Sequence, residues 1–502
     1  MMDTDRMRPL AVCLAAVGLS CALPTGASAA QRPNRPLLSV GYRSEADLAR
    51  AVAGGRAQVV RLVPRLRVAE VRPRVDGFAA AARRIDGIRY VERVLSRSFY
   101  SEPALFPTTS AGTPYEWQFA ATHEDAVPPE VLRAAGAVKI AVIDTGADLS
   151  APDLAAKSPW TYNIFTGGPD IRDVNGHGTF VSSLAAGSVA NGDGVAGFGG
   201  DAQLLVIKAT RDDGTLTDLD ESNGIMYAVD HGARVINLSV GGPTSSATEQ
   251  RAVAYAAQHN VLIVAAVGNE YTMGNPIEYP AALLQPAGSK GRGGTGLAVG
   301  ASTSDGSRAF FSNAGTQLSL VAPGLDVFGA LSSLSSPDEY PRATLPGSTA
   351  GLYGYSSGTS FATPEVVGAA ALVMGANPFL RATEVATILK ETASGHGAWN
   401  PETGFGVLDA AGAVARAQGK NGLVVHGLRS GTRFRFQWFS AVATRYRVSL
   451  RIDRGKTRVL VDNTTTTSAS VTVRRRHRYA FTVDALDATG AVSATTNYSF
   501  KF

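Results

Sequence analysis

Cysteine is almost missing from this chain: of 502 residues only Cys13 and Cys21 carry thiols, and both fall within the first thirty. That excludes a disulfide framework and thiol catalysis from everything downstream, and leaves packing and bound ions to supply stability outside the cell. Long apolar runs are equally scarce. One covers residues 10–23, with Arg6 and Arg8 before it and Ala27-Ser28-Ala29 after it, and this order reads as a secretory signal peptide over 1–29. A lipid anchor on Cys21 is the competing reading, against which Gly18-Leu19-Ser20 puts no large apolar residue three positions before the cysteine. No later segment has the eighteen or so consecutive apolar residues of a membrane span, and the tail NYSFKF carries no anchor signal. The expectation is a freely secreted product. Internal repeats and low-complexity tracts are absent as well, which excludes a repeat architecture.

What is present is ordinary in bulk and uneven in charge. The chain is 45% hydrophobic and 18% charged, and its length suggests about three domains. Residues 31–110 hold 15 basic and 7 acidic side chains, a net +8. Residues 111–420 hold 16 and 29, a net −13, and residues 421–502 hold 14 and 4, a net +10. The overall excess of +5 therefore belongs to the flanks, and a nucleic-acid partner is not expected of the acidic middle.

The pattern between residues 37 and 100 predicts strand, helix (45–53), two strands (57–64 and 67–73), helix (77–85) and strand (88–95), the order of a small ferredoxin-like α+β module. The middle alternates apolar strands (139–144, 203–208, 235–238, 261–267, 296–300) with helices (218–231, 247–259, 360–375, 383–391). Buried strands alternating with helices predict a mostly parallel sheet covered on both faces, an α/β fold with three layers. A site in such a sheet lies beyond the carboxyl ends of its strands. After residue 427, short runs alternating Thr, Val, Arg and Tyr predict an antiparallel β-sandwich, which YAFTVDALDATGAVS makes similar to a fibronectin type III domain.

Three segments carry the chemistry: IAVIDTGAD around Asp144, NGHGTFVSSLAAG around His177 and SSGTSFATPEVVG around Ser360. A nucleophilic hydroxyl, an imidazole base and a carboxylate that holds the base in one tautomer are what amide hydrolysis at neutral pH requires. With VINLSVGG and IVAAVGNE between them, in the order Asp, His, Ser, these segments resemble the subtilases, the subtilisin-like serine peptidases, from about Trp117 to Asp409. The resemblance implies Ser360 as nucleophile, His177 as general base and Asp144 as its partner. It implies Asn269 as side-chain donor to the oxyanion, and Ser239-Val240-Gly241 as an edge that pairs with an extended polypeptide substrate. It also implies that Glu270 lies near the pocket for the residue preceding the cut, so that a basic side chain is tolerated there.

By position and pattern the module over 30–100 resembles the subtilase propeptide, a folding aid and temporary inhibitor of its own enzyme; a permanent accessory domain is the alternative. The expected division is signal peptide 1–29, propeptide 30–100, peptidase domain 101–420 and sandwich 421–502. Cleavage is expected after Tyr100, which makes Arg97 the fourth residue before the cut, facing a wall formed in part by Asp218 and Glu221. No cofactor is needed for catalysis, and Asp153 matches a family ligand for structural calcium. The chain departs from the family at Ser182-Ser183, where Ala-Gly is usual, and at Glu365, where His is common. A basic cluster at Arg474, Arg475, Arg476 and Arg478 suggests that the sandwich meets an anionic surface polymer. Two other functions stay open at this point: a silent cleft used for adhesion, and a transpeptidase or maturation enzyme on the same fold.

Overall fold

The computed structural model describes residues 35–99, 116–192, 194–211, 214–343, 352–419 and 422–502. The expected signal peptide with both cysteines, and Tyr100 with Ser101, lie outside those ranges.

The first module is a four-stranded antiparallel sheet in the order β2-β3-β1-β4, built from β1 (Leu38–Tyr42), β2 (Ala57–Val63), β3 (Val68–Pro73) and β4 (Ile88–Arg93). Helices α1 (Glu45–Val52) and α2 (Phe78–Arg83) complete it, and Leu38, Val40, Leu48, Val71, Phe78 and Val91 form a core of its own. Ser44 starts α1 with a capping box: its hydroxyl accepts from the Asp47 amide while Asp47 accepts from the Ser44 amide. The chain then leaves β4 as β5 (Ser96–Phe99) and enters the next unit.

That unit opens with short helices α3 (Trp117–Ala121) and α4 (Pro129–Ala134), followed by β6 (Lys139–Asp144), α5 (Pro152–Lys157), β7 (Trp160–Asn163), α6 (His177–Ala186) and β8 (Gln203–Lys208). Next come β9 (Leu216–Thr217), α7 (Asp218–Asp230), β10 (Val235–Leu238), β11 (Val240–Gly241), α8 (Ala247–Gln258) and β12 (Leu262–Ala266). The later elements are α9 (Ala281–Leu284), β13 (Leu297–Ser302), β14 (Leu320–Pro323), a small antiparallel sheet of β15 (Val327–Ala330), β16 (Arg342–Ala343) and β17 (Tyr353–Ser356), then α10 (Thr359–Ala376), α11 (Ala382–Thr392) and α12 (Ala410–Gln418). Seven strands, in the order β14-β13-β12-β10-β6-β8-β7, pair in parallel throughout.

Alternation along β6 divides the interior. Ile140 and Val142 join a core with Phe180 and Val181 of α6 and Val366 and Val367 of α10. Ala141 and Ile143 join a second core with Leu219 and Ile225 of α7 and Ala252 and Ala256 of α8. The sheet is thus covered on both faces by helices, which is why KIAVID is apolar at nearly every position. Helix α10 is long and apolar enough to cross a membrane, yet it is wholly buried as the central helix of the first core.

The last unit is a sandwich of two antiparallel sheets, β18-β19-β22 and β21-β20-β23-β24, from β18 (Leu423–Ser430), β19 (Arg433–Ser440), β20 (Arg445–Ile452), β21 (Arg458–Thr464), β22 (Ser468–Thr472), β23 (Arg478–Leu486) and β24 (Val492–Lys501). The inward row Phe434, Phe436 and Trp438 of β19 packs on Tyr446, Val448, Phe481 and Val483, while Arg433 and Arg435 face out. Arg474, Arg475 and Arg476 sit exposed in the turn before β23.

The first module docks on α7 and α8. Arg61 bridges Glu70 and Asp220, Arg65 pairs with Asp230 at 3.2 Å, and the Arg65 guanidinium lies 4.9 Å from the Tyr227 ring centre. The Glu92 carboxylate accepts from the amides of Ala247 and Thr248 at the amino end of α8. These contacts set opposite charges on the two units, the basic one against the acidic one.

Candidate active site

Three strand ends and two helix starts converge at one edge of the parallel sheet. Asp144 is the last residue of β6, His177 the first of α6 and Ser360 the second of α10. All three are essentially buried. The His177 Nδ1 lies 2.8 Å from Asp144 Oδ1, which also accepts from the Thr145 amide at 2.7 Å. A carboxylate on Nδ1 places that proton there and leaves Nε2 as the basic nitrogen. Ser360 Oγ is 3.4 Å from the Ser239 carbonyl, and Ser239 Oγ donates in return to the Ser360 carbonyl at 2.8 Å while accepting from Asn237. The Ser239 side chain therefore braces the start of α10, and its backbone leads into β11.

The histidine loop has a support that the sequence reading missed. Buried Asp173 accepts from the Gly176 amide and the Thr145 hydroxyl through Oδ1, and from the Thr179 amide and hydroxyl through Oδ2. It ties the amino end of α6 to the residue after Asp144. The visible signal is an acidic residue four positions before a histidine in a glycine-bounded loop. Lys208, at the end of β8, adds to this by donating to the carbonyls of Thr145 and Arg172.

Asn269 follows β12 and Gly268, whose φ of 103° only glycine adopts without strain. Its Oδ1 accepts from both the amide and the hydroxyl of Thr359 at 2.9 Å, so the NH2 end is turned the other way as a donor beside Gly358. Glu270 is half-buried, and its carboxylate accepts from the Asn269 amide and the Asn313 side chain. Those inner bonds orient it, and burial pushes its pKa up.

Strand β5 lies between two edges of this unit. Phe99 and Ser98 pair antiparallel with Val240 and Gly241 of β11 on one side, and Ser96 and Arg97 pair with Thr217 and Leu216 of β9 on the other. The Phe99 ring sits 4.7 Å from the His177 ring, centre to centre. Asp218 meets the backbone of the same segment, with its Oδ1 accepting from the Leu95 amide and its own amide donating to the Leu95 carbonyl. Glu221 meets the Arg97 side chain, with Nε donating at 3.1 Å, and Glu249, which no local motif marks, stands 2.8 Å from Arg97 Nη2.

Asp153 is buried and its carboxylate is ringed by donors: the Asn191 side chain and the Val195 amide on Oδ1, and the Tyr353 hydroxyl on Oδ2. Hard cations need oxygen ligands turned inward. As these residues stand they fit a hydrogen-bonded brace that holds Asn191, Val195 and Tyr353 together, and among the described residues no three His, Cys, Asp or Glu side chains gather as a metal site. Ser183 of the unusual pair donates to the Phe180 carbonyl and accepts from the Ala330 amide, joining α6 to β15. Glu365 is fully buried in α10, neither oxygen meets a hydrogen-bond partner among the described residues, and burial pushes its pKa well above the usual range.

Comparison with known proteins shows the family and the fold. The profile of the subtilase family matches residues 135–406. The chain is 35% identical over 303 residues to the alkaline protease of Alkalihalobacillus alcalophilus, covering 60% of this chain and 70% of that one. It is 37% identical over 263 residues to subtilisin BL of Lederbergia lenta, covering 52% and 86%. Among solved structures, fervidolysin from Fervidobacterium pennivorans, described as a keratinolytic enzyme related to subtilisin, superposes with a TM-score of 0.65 at 22% identity over 95% of this chain and 77% of that one. The epidermin leader peptide processing serine protease of Staphylococcus aureus gives 0.60 at 21% identity over 77% and 99%. At such identities these two speak for the fold alone.

Proposed function

Because the chain belongs to the subtilase family and is a subtilisin-like serine endopeptidase, we propose that Asp144, His177 and Ser360 are its catalytic triad, with Asn269 as a donor to the oxyanion. The Ser360 hydroxyl attacks the scissile carbonyl, and His177 Nε2 takes the hydroxyl proton. Asp144 holds Nδ1 and stabilises the imidazolium that results. The negative charge on the tetrahedral oxygen is met by the Asn269 amide and the Ser360 backbone N–H at the start of α10, where the helix dipole adds to the field. His177 then returns the proton to the leaving amine, and water repeats the sequence on the acyl-enzyme.

The observation that carries this reading is the place of β5: an extended backbone held on both sides by edge strands, with Phe99 against the His177 ring. A substrate stretch would bind in the same way, by main-chain pairing that asks little of its side chains. We read residues 30–100 as a propeptide that inhibits the unit it precedes and is cut from it by that unit, and residues 1–29 as the signal for secretion. Exposed Arg474, Arg475, Arg476 and Arg478 suit an anionic surface, a role that equal retention of the full chain and of a chain lacking 421–502 on anionic resin would refute.

Ser360→Ala tests the central assignment. Casein hydrolysis should fall by about 10⁶, and the precursor should accumulate uncut. Undiminished hydrolysis by the purified variant would refute the triad.

A further inference from the structure

Arg97 is a cation enclosed within the cleft. Its side chain and those of Glu221 and Glu249 have no exposed surface, although a guanidinium and two carboxylates are costly to remove from water. The two acids come from different helices. Glu221 is the fourth residue of α7 and Glu249 the third of α8, so each lies in a first turn, where the helix dipole favours a negative charge. The Glu249 amide is tied to the Ser246 hydroxyl that caps α8. Glu221 receives Arg97 Nε at 3.1 Å and Glu249 stands 2.8 Å from Nη2, so one planar group spans both. Asp218, beside them, is occupied with the Leu95 backbone.

We propose that Glu221 and Glu249 form an arginine-selective subsite, and that the preferred substrates of this peptidase are proteins carrying arginine at the position that Arg97 occupies in β5, three residues before Tyr100. This rests on the reading of β5 as a substrate-like strand and names the side chain that the cleft selects. Backbone pairing with β9 and β11 supplies affinity that is indifferent to sequence, whereas this pocket is the place along β5 where a buried charge must be matched. Lysine does not replace arginine here. Its ammonium is a compact, strongly hydrated point charge, while the guanidinium presents several donors in a fixed plane and is the more weakly hydrated. An apolar side chain leaves two carboxylates unmatched in a closed pocket, where burial already pushes both upward in pKa, with Glu249 repelling Glu221 and Asp218 repelling Glu249.

Three hexapeptides with the sequence of residues 95–100, extended past Tyr100 by a chromogenic amide and carrying Arg, Lys or norleucine at position 97, test this with the purified protein. The kcat/KM is expected to fall by about 10-fold or more from Arg to Lys and by about 10²–10³ from Arg to norleucine. In the Glu221→Gln/Glu249→Gln double variant the Arg to norleucine ratio should collapse to within about threefold. The same peptides, fluorescently labelled, are titrated by anisotropy, a readout that needs no turnover. The same order of Kd without cleavage would keep the subsite and remove the catalytic reading. Cleavage of all three peptides at equal rates, equal Kd values across the set, or lysine matching arginine would overturn the subsite, whether or not the double variant folds.

Discussion

Glu92 takes two hydrogen bonds from Thr248, one from its amide at 3.1 Å and one from its hydroxyl at 2.9 Å, and so closes the amino end of α8 from a different unit of the chain. A carboxylate at a helix amino terminus satisfies donors that have no partner within the helix, and it faces the positive end of the dipole. Glu92→Ala should therefore weaken inhibition of the peptidase by separately added residues 35–99 by about 5–30-fold, which corresponds to about 1–2 kcal/mol. An unchanged inhibition constant would show that α8 is capped as well by solvent.

Asn269→Ala should lower kcat by about 10²–10³ with little change in KM, because the donor is needed only once charge develops on the carbonyl oxygen. Steady-state kinetics on a single peptide decide it. A raised KM with intact kcat would instead mark Asn269 as a ground-state binding group.

Gly178 follows His177 against the backbone of Gly146, and a Cβ at that position would lie 2.3 Å from the Gly146 carbonyl oxygen and 3.0 Å from its nitrogen. Backbone cannot swing aside as a side chain can. Gly178→Ala should lower Tm by roughly 2–10 °C and reduce turnover further by shifting the ring of His177 from Asp144. A variant with wild-type Tm and activity would show that this contact relaxes freely.

Glu124, buried beside α3, has its pKa raised to about 8 by burial, with Asp125 and Glu116 as like-charged neighbours. Its folded value lies above the usual carboxylate range, so the native state binds the proton more tightly than the unfolded chain does. That contribution is fully present below about pH 4.5 and is lost as pH rises towards 8. Glu124→Gln, which imitates the neutral acid, should match the parent in Tm near pH 4.5 and exceed it near pH 9. A Tm difference that does not vary with pH would contradict this.

Much of the architecture could be read directly from residue pattern. KIAVID and QLLVIK predict β6 and β8 at the bounds the structure has, because strands buried on both faces are apolar without interruption and end at turn residues. The first module keeps its predicted order because each turn is marked by Gly, Ser or Pro. Helix α10 begins at Thr359, one residue before the prediction, since Gly358 rather than Thr359 supplies the non-helical cap.

The contacts that were not legible are those between distant elements. Glu249 reaches Arg97 because α7 and α8 lie side by side, a fact of packing that neither helix states in its own sequence. The expected wall facing Arg97 is Asp218 with Glu221: Glu221 accepts from the Arg97 Nε, while Asp218 lies close enough to act on the same charge and its carboxylate accepts from the Leu95 amide. Asp153 matches a family calcium ligand by position, whereas the partners that surround it are donors contributed by Asn191, Val195 and Tyr353. Position in the chain does not reveal which neighbours will be donors.

The contacts of the first module with α7 and α8 lie upstream of β5, in Arg61, Arg65 and Glu92. Severing the backbone after Tyr100 leaves each of them in place, so hydrolysis of that bond alters connectivity without vacating the cleft. On the reading of this module as a propeptide proposed above, onset of activity towards other proteins is governed by how long the severed piece survives, and the first free molecules hasten it by digesting the pieces that still block their neighbours. A progress curve with a lag that shortens as protein concentration rises is the kinetic form such an interface imposes.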